Sequence, residues 1–165
     1  MYEMKTKKIT DKQEVREVVT WSDDLSYGIK AMDDDHKVMI TLVNRMHAIV
    51  NEGADSSDVR PLLAKLAEYA ILHFRREEIV MKTCHYPIME EHIEYHHSLE
   101  KEVFELLKKK DQKLNKEETA NLLQFLSNWL FEHISSVDQT LTPYVGKYRE
   151  KIDAALKFTK AVGEL

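Results

Sequence analysis

Leu62–Met81 reads LLAKLAEYAILHFRREEIVM. Leu62, Leu66, Tyr69 or Ala70, His73, Glu77 and Val80 or Met81 recur at steps of three and four, so they fall on one face of an α-helix. A histidine and a glutamate therefore occupy two places of a stripe that is otherwise apolar. Burying an imidazole, and still more a carboxylate, is costly unless the group is paired or bound to a cation. Ser56, Ser57 and Asp58 are candidate N-caps for this helix, with Pro61 suited to its first turn. Pro87 disfavours helix at Tyr86, which predicts a stop near Cys84.

The same texture recurs on both sides. Upstream, Met32, His36, Met39, Val43, Met46 and Val50 form a stripe, with Asp33 to Asp35 in its first turn and Gly53 as a stop. Downstream, Ile88 or Met89, His92, His96, Leu99, Val103 and Leu106 form a third. After a polar turn over Asp111–Lys116, the fourth carries Leu122, Leu126, Trp129 or Leu130, His133, Val137 and Leu141, and Pro143 and Gly146 end or kink it. Four helices joined by short loops predict an all-α fold, an up-down-up-down antiparallel four-helix bundle over residues 21–146. Residues 1–20 are polar and mixed in charge and read as an N-terminal arm. Residues 147–165 read as a C-terminal tail or short helix with Ile152, Leu156 and Val162 as its apolar positions.

Composition narrows the function. Few glycines and prolines, with apolar residues that are mostly unbranched or γ-branched, favour helix. A net charge of −5 with no basic face argues against nucleic acid as a partner; the one tight basic run, Lys108 to Lys110, lies where a helix end suits cations. The lone Cys84 excludes an internal disulfide framework. No apolar run approaches the roughly 20 residues of a membrane span, so no membrane role is expected. The polar N-terminus does not resemble a signal peptide, and a cytoplasmic location is the expectation.

Five histidines and two acids sit at inward places: His36, His73, Glu77, His92, His96, His133 and Asp138. Donors aimed at one level of a bundle from four helices form a site for two transition-metal ions. His47 and His97 lie one position off a stripe and His85 lies in a turn, so they read as ordinary residues. Glu78 and Glu132 are rotated about 100° off the face and read as solvated. Ile93 after His92 breaks a His-Glu-x-x-His zinc motif, and the lone Glu-x-x-His match, Glu94 with His97, misses the face. A nitrogen-rich donor set suits Fe, Zn, Cu or Ni rather than Mg or Ca.

These motifs, in order, resemble those of the hemerythrins, specifically the bacterial single-domain kind, over roughly Trp21 to Tyr144. They are Gly28-Ile29, then Asp35-His36-Lys37; His73-Phe74-x-x-Glu77-Glu78 with Met81; Tyr86-Pro87 with His92-x-x-x-His96; and Trp129-Leu130-x-x-His133-Ile134 with Asp138. The resemblance implies two iron ions in a non-haem di-iron centre that binds O2 reversibly. His92, His96 and His133 would hold one iron, His36 and His73 the other. Glu77, Asp138 and an oxo or hydroxo group would bridge them. Trp129, Leu130 and Ile134 match positions of the O2 pocket. Two carboxylates and a hydroxide against two ferrous ions leave a nearly neutral cluster, which an apolar pocket tolerates. Asp35 stands where the family often has Gln, and is expected to face solvent.

The implied function is O2 binding for delivery, storage or buffering by a protein that is not an enzyme. Two alternatives keep the same motifs: sensing of O2, NO or redox state through a partner protein, and an oxidase, peroxidase or NO-reductase activity. NO or a small anion would compete for the open iron position.

Overall fold

In the computed structural model, residues 18–108, 113–157 and 159 are described. The helices are α1 (Lys30–Asn51), α2 (Ser56–Thr83), α3 (Met89–Lys108) and α4 (Lys116–Glu132), and they form the expected antiparallel bundle. α4 runs without a break into a π-helical turn (His133–Val137) and a 3-10 turn (Asp138–Leu141). Two further helices follow, α5 (Thr142–Val145) and α6 (Arg149–Lys157). Among the described residues no helix is long and apolar enough to cross a membrane.

Local chemistry sets the ends. α1 begins at Lys30, two residues earlier than its stripe implies, so only Asp33 of the three aspartates lies in the first turn. Gly53 takes φ +99°, a left-handed conformation that glycine adopts at no steric cost, and α1 stops there. The cap of α2 is Asp55 rather than Ser56, Ser57 or Asp58. Its carboxylate accepts from the Ser57 amide at 2.8 Å, and Asp58 returns a bond to the Asp55 amide at 3.1 Å. Pro61 consequently falls beyond the first turn. Asn115 and Glu118 form the equivalent box on α4. α2 ends at Cys84, as Pro87 implies, and His85 adopts φ +55° in the tight reversal that follows.

Pro143 neither ends nor breaks the last helical stretch. It sits at the start of α5, where its missing N–H costs little. α6 then packs against α2, burying Ile152 and Leu156; Val162 lies outside the described residues, as do Lys109 and Lys110. At the other end, residues 1–17 lie outside the description. Val19 is already part of the core, pinned by Asn44, whose Oδ1 accepts from the Val18 and Val19 amides at 3.0 Å.

Among the described residues the interior consists of two apolar clusters. One holds Met39, Val43, Met46, Leu66, Phe74, Leu126, Leu130 and Ile134. The other holds Tyr27, Met32, Val80, Met81, Tyr86, Leu141, Val145 and Ile152. On α1, α2 and the final helical stretch, the inward histidines and acids fall in the gap between them.

Candidate metal centre

All seven singled-out side chains come to that gap. His36, His73, Glu77, His96, His133 and Asp138 have no exposed surface, and His92 has 5%. α2 supplies His73 and Glu77 one turn apart, α3 supplies His92 and His96 likewise, and α1 supplies His36. His133 and Asp138 are five apart, a spacing that an α-helix would splay. The π turn closes it: the Asp138 amide donates to the His133 carbonyl, the i to i+5 bond of that conformation.

Asp138 stands at the middle. Its Oδ2 lies 2.9 Å from His36 Nε2, 3.2 Å from His133 Nε2 and 3.5 Å from His73 Nε2, and its Oδ1 is 3.6 Å from His92 Nε2. Glu77 Oε2 lies 3.2 Å from His96 Nε2, 3.3 Å from His92 Nε2 and 3.8 Å from His73 Nε2. Two overlapping donor groups result: His36, His73, His133 and Asp138; and Glu77, His92, His96 and Asp138. Each group could hold a cation, and Asp138 belongs to both.

The donor atoms are also conspicuously unsatisfied. Glu77 Oε2, both Asp138 oxygens, His92 Nε2 and His96 Nε2 are buried without a hydrogen-bond partner. Buried polar atoms are rarely left so, and several converging on one point fit a bound ion. Their nitrogen and carboxylate chemistry suits a first-row transition metal.

Electrostatics agree. Burial opposes a proton on His73, but Asp138, Asp35 and Glu77 outweigh it and push the imidazole up to about 10. His92 is pushed up to about 9 against its burial by Asp138 and Glu77. Burial, aided by His73 and His96, instead holds His133 down at about 3 despite both carboxylates. Burial and Asp138 work to raise Glu77, yet His92, His96 and His73 hold it down at about 2. Asp138 is held well below the carboxylate range by His133, His36, His73 and His92, against its burial. The pocket keeps two negative charges and draws positive charge toward them.

Aromatic rings hold the imidazoles. Phe74 stacks on His96 with centroids 3.9 Å apart, and Trp129 and Tyr95 stack on His133 at 5.8 and 6.0 Å. Leu130 and Ile134, both fully buried, lie on either side of His133 in sequence, and the buried Trp129 Nε1 has no hydrogen-bond partner. The other histidines stay outside: His47 Nε2 meets Ser127 Oγ at 2.8 Å, and His85 and His97 are exposed. Glu132 is exposed as expected, whereas Glu78 is half-buried.

Three residues near the site escape a stripe-based reading. Asp35 is a correction: it is 6% exposed rather than solvent-facing, and its Oδ1 accepts from Arg76 Nη1 at 2.5 Å. The signal was present, since Met32, Asp35 and Met39 are spaced three and four. Arg76, adjacent to Glu77, is its partner on α2. Tyr27 is in the loop before α1, where no periodicity guides a reading; its phenol donates to Glu77 Oε1 at 3.4 Å. Burial, Glu77, Asp138 and Asp33 keep that phenol protonated.

An all-α bundle carrying a buried His, Glu and Asp constellation between four helices defines a class of helical metal-binding proteins. A sequence model of the hemerythrin HHE cation binding domain matches residues 27–145, and the chain belongs to the hemerythrin family. It is 27% identical over 139 residues to the bacteriohemerythrin of Pseudomonas aeruginosa (strain LESB58), covering 84% of this chain and 87% of that protein. It is 28% identical over 128 residues to the bacteriohemerythrin of Stenotrophomonas maltophilia (strain R551-3), covering 78% and 82%. A crystal structure of wild-type hemerythrin superposes with a TM-score of 0.65 at 27% identity, covering 77% of this chain and 97% of that one. Gly28, within the matched region, takes φ +86°, a conformation that side-chain-bearing residues rarely adopt, so a substitution there would be strained.

Proposed function

We propose that the protein binds O2 reversibly at a non-haem di-iron centre. The observation that carries this reading is the pair of buried donor groups sharing Asp138, with Glu77 Oε2, both Asp138 oxygens and Nε2 of His92 and His96 left without a hydrogen-bond partner. In this reading His36 and His73 would hold one iron and His92, His96 and His133 the other, with Glu77 and Asp138 as the carboxylates that would serve both. Proximity alone sets His133 beside His73, at 3.3 Å between Nε2 atoms. Its ring centroid is 5.3 Å from His96, 5.5 Å from His73, 6.3 Å from His36 and 6.5 Å from His92, so the ring positions alone do not divide the histidines three and two. The division follows the family arrangement, in which the two-histidine ion would be the one that takes O2.

Iron held there would supply the coordination site and the electrons that O2 binding requires. The protein's own part is to hold and to shield. Glu77 and Asp138 offset the charge of the ions, and the stacked Phe74, Trp129 and Tyr95 fix the imidazoles. Trp129, Leu130 and Ile134 form an apolar wall that keeps water and protons from the site, which favours binding over turnover. Tyr27 donates to the Glu77 oxygen that the imidazoles of His92 and His96 do not face.

The test is optical. Protein loaded with two ferrous ions per chain and reduced without air is expected to develop a visible charge-transfer band on exposure to O2. The band is expected to bleach when O2 is removed. Absence of the band overturns the reading. Sustained consumption of O2, peroxide or NO with a reductant would replace it with an enzymatic one.

A further inference from the structure

Asp35 and Arg76 make a buried couple that no part of the ligand scheme uses. Asp35 lies on the inward side of α1, 6% exposed, one residue before His36. Its Oδ1 is taken by Arg76 from α2, whose side chain is 14% exposed. Its Oδ2 is buried with no hydrogen-bond partner and faces His73 Nδ1 at 3.8 Å. His73 Nδ1 is likewise buried without a partner, while Nε2 of the same ring points at Asp138 and Glu77. An acceptor and a donor left over on facing side chains are thus arranged across the ring from the donor cluster.

We propose that Asp35 is a positioning residue that keeps the His73 proton on Nδ1 and so presents Nε2 to the metal, with Arg76 holding the carboxylate in place. The inference rests on the metal reading of the site. A neutral imidazole carries its proton on one nitrogen or the other, and the hydrogen bond made by one nitrogen decides which is free to bind an ion. A carboxylate is a stronger acceptor than the neutral side chain of a glutamine, and it raises the basicity of the ligating nitrogen. It also adds negative charge beside the site, which the Arg76 guanidinium largely offsets at the carboxylate's far side. Without Arg76, the carboxylate would be free to turn its lone pairs toward solvent, although it would keep its charge.

A purely structural role for the couple, fastening α1 to α2, makes a different prediction, because either partner's loss then has the same effect. The experiment compares Asp35→Ala, Asp35→Asn and Arg76→Gln with the unmodified chain, each stripped of metal and titrated with Zn2+. Zn2+ is diamagnetic and allows the histidine ring nitrogens to be read by long-range 1H–15N NMR. Thermal unfolding of each metal-free variant shows whether it folds. The expected result is a loss of about 10- to 100-fold in Zn2+ affinity for Asp35→Ala, with the Nδ1 proton signal of His73 lost or shifted. Asp35→Asn, which keeps an acceptor oxygen, is expected to restore that signal and most of the affinity. Arg76→Gln, which leaves the carboxylate present but less firmly held, is expected to weaken binding by clearly less than Asp35→Ala and to keep the Nδ1 proton. If Asp35→Ala and Arg76→Gln lose affinity alike, or if Asp35→Ala leaves both affinity and tautomer unchanged, the inference is overturned. Should the unmodified chain take up no Zn2+, the metal reading fails, and the role of Asp35 with it.

Discussion

Glu77 and Asp138 bring two buried negative charges into a pocket whose other polar groups are imidazoles and the Tyr27 phenol. They are the residues whose loss should matter most. Replacing Asp138 by Ala removes the side chain common to both donor groups, and iron content is expected to fall from about two per chain to one or none. Glu77→Ala is expected to fall in the same direction, and metal analysis of the purified variants measures both. Full iron content with an unchanged spectrum would refute the bridging assignment. Leu130 tests the wall rather than the ligands. It is fully buried, so Leu130→Ala should cost about 2–5 kcal/mol by denaturant unfolding. It should also speed the decay of the O2-bound form to the oxidised form, because the new space admits water. Six of the seven singled-out residues were legible in the sequence because each takes a core place on a stripe, and Asp138, one position past Val137, stood out as an acid five residues after His133. Asp35 was not read correctly, because its neighbour His36 already fills the stripe. Only the packing of α1 on α2 turns the shared edge inward, onto Arg76.

At the scale of elements, the π turn is the feature with the most specific consequence. An α-helix continued through His133–Asp138 would carry the aspartate about 100° beyond the i+4 position and away from the ligands on the other helices. The extra residue in the turn restores the alignment, and such turns recur at functional sites. Deleting Ser135 should let the turn relax to α. Far-UV circular dichroism of the metal-free protein is expected to stay unchanged, while Asp138 is displaced and metal content falls. Loss of helicity together with metal would show that the turn serves the fold instead. The spacing of five was visible in the sequence as an irregularity. What it required of the backbone was not, because no residue in His-Ile-Ser-Ser-Val specifies a π turn by its own propensity. The caps Asp55 and Asn115 illustrate the limit on helix ends: several Ser, Asp and Asn candidates compete locally, and only the path of the chain selects one.

For the whole molecule, pH links the site to stability. His73 and His92 titrate at about 10 and 9, above the ordinary 6.5, so in metal-free protein their pairing with the carboxylates stabilises the fold below that value. That contribution should fade as pH rises through 9 and 10. Glu77, held at about 2 against an ordinary 4.5, contributes in the opposite sense: its share is present above 4.5 and is lost as pH falls toward 2. Melting temperature of metal-free protein against pH is therefore expected to peak between about 5 and 7. A metal ion replaces the protons on His73 and His92, so its uptake at pH 7 should release about two protons per chain. Acidification toward pH 5 should correspondingly expel metal. Uptake without proton release, or metal retained for hours at pH 5, would contradict this account.

The helices, their inward faces and the seven ligand-type residues could be read without a structure, because periodicity and the cost of burying charge are local properties of the chain. The sequence also carried the family motifs over most of the bundle. Four things depended on the folded chain. It placed Asp138 between two donor groups, which depends on a backbone turn and on four helices meeting at one level. It moved Asp35 from the surface to the back of His73, which depends on how α1 lies against α2. It brought Tyr27 from a loop to Glu77 and joined α6 to the core, through contacts between residues far apart in the chain. No pattern of neighbours along a sequence encodes those contacts.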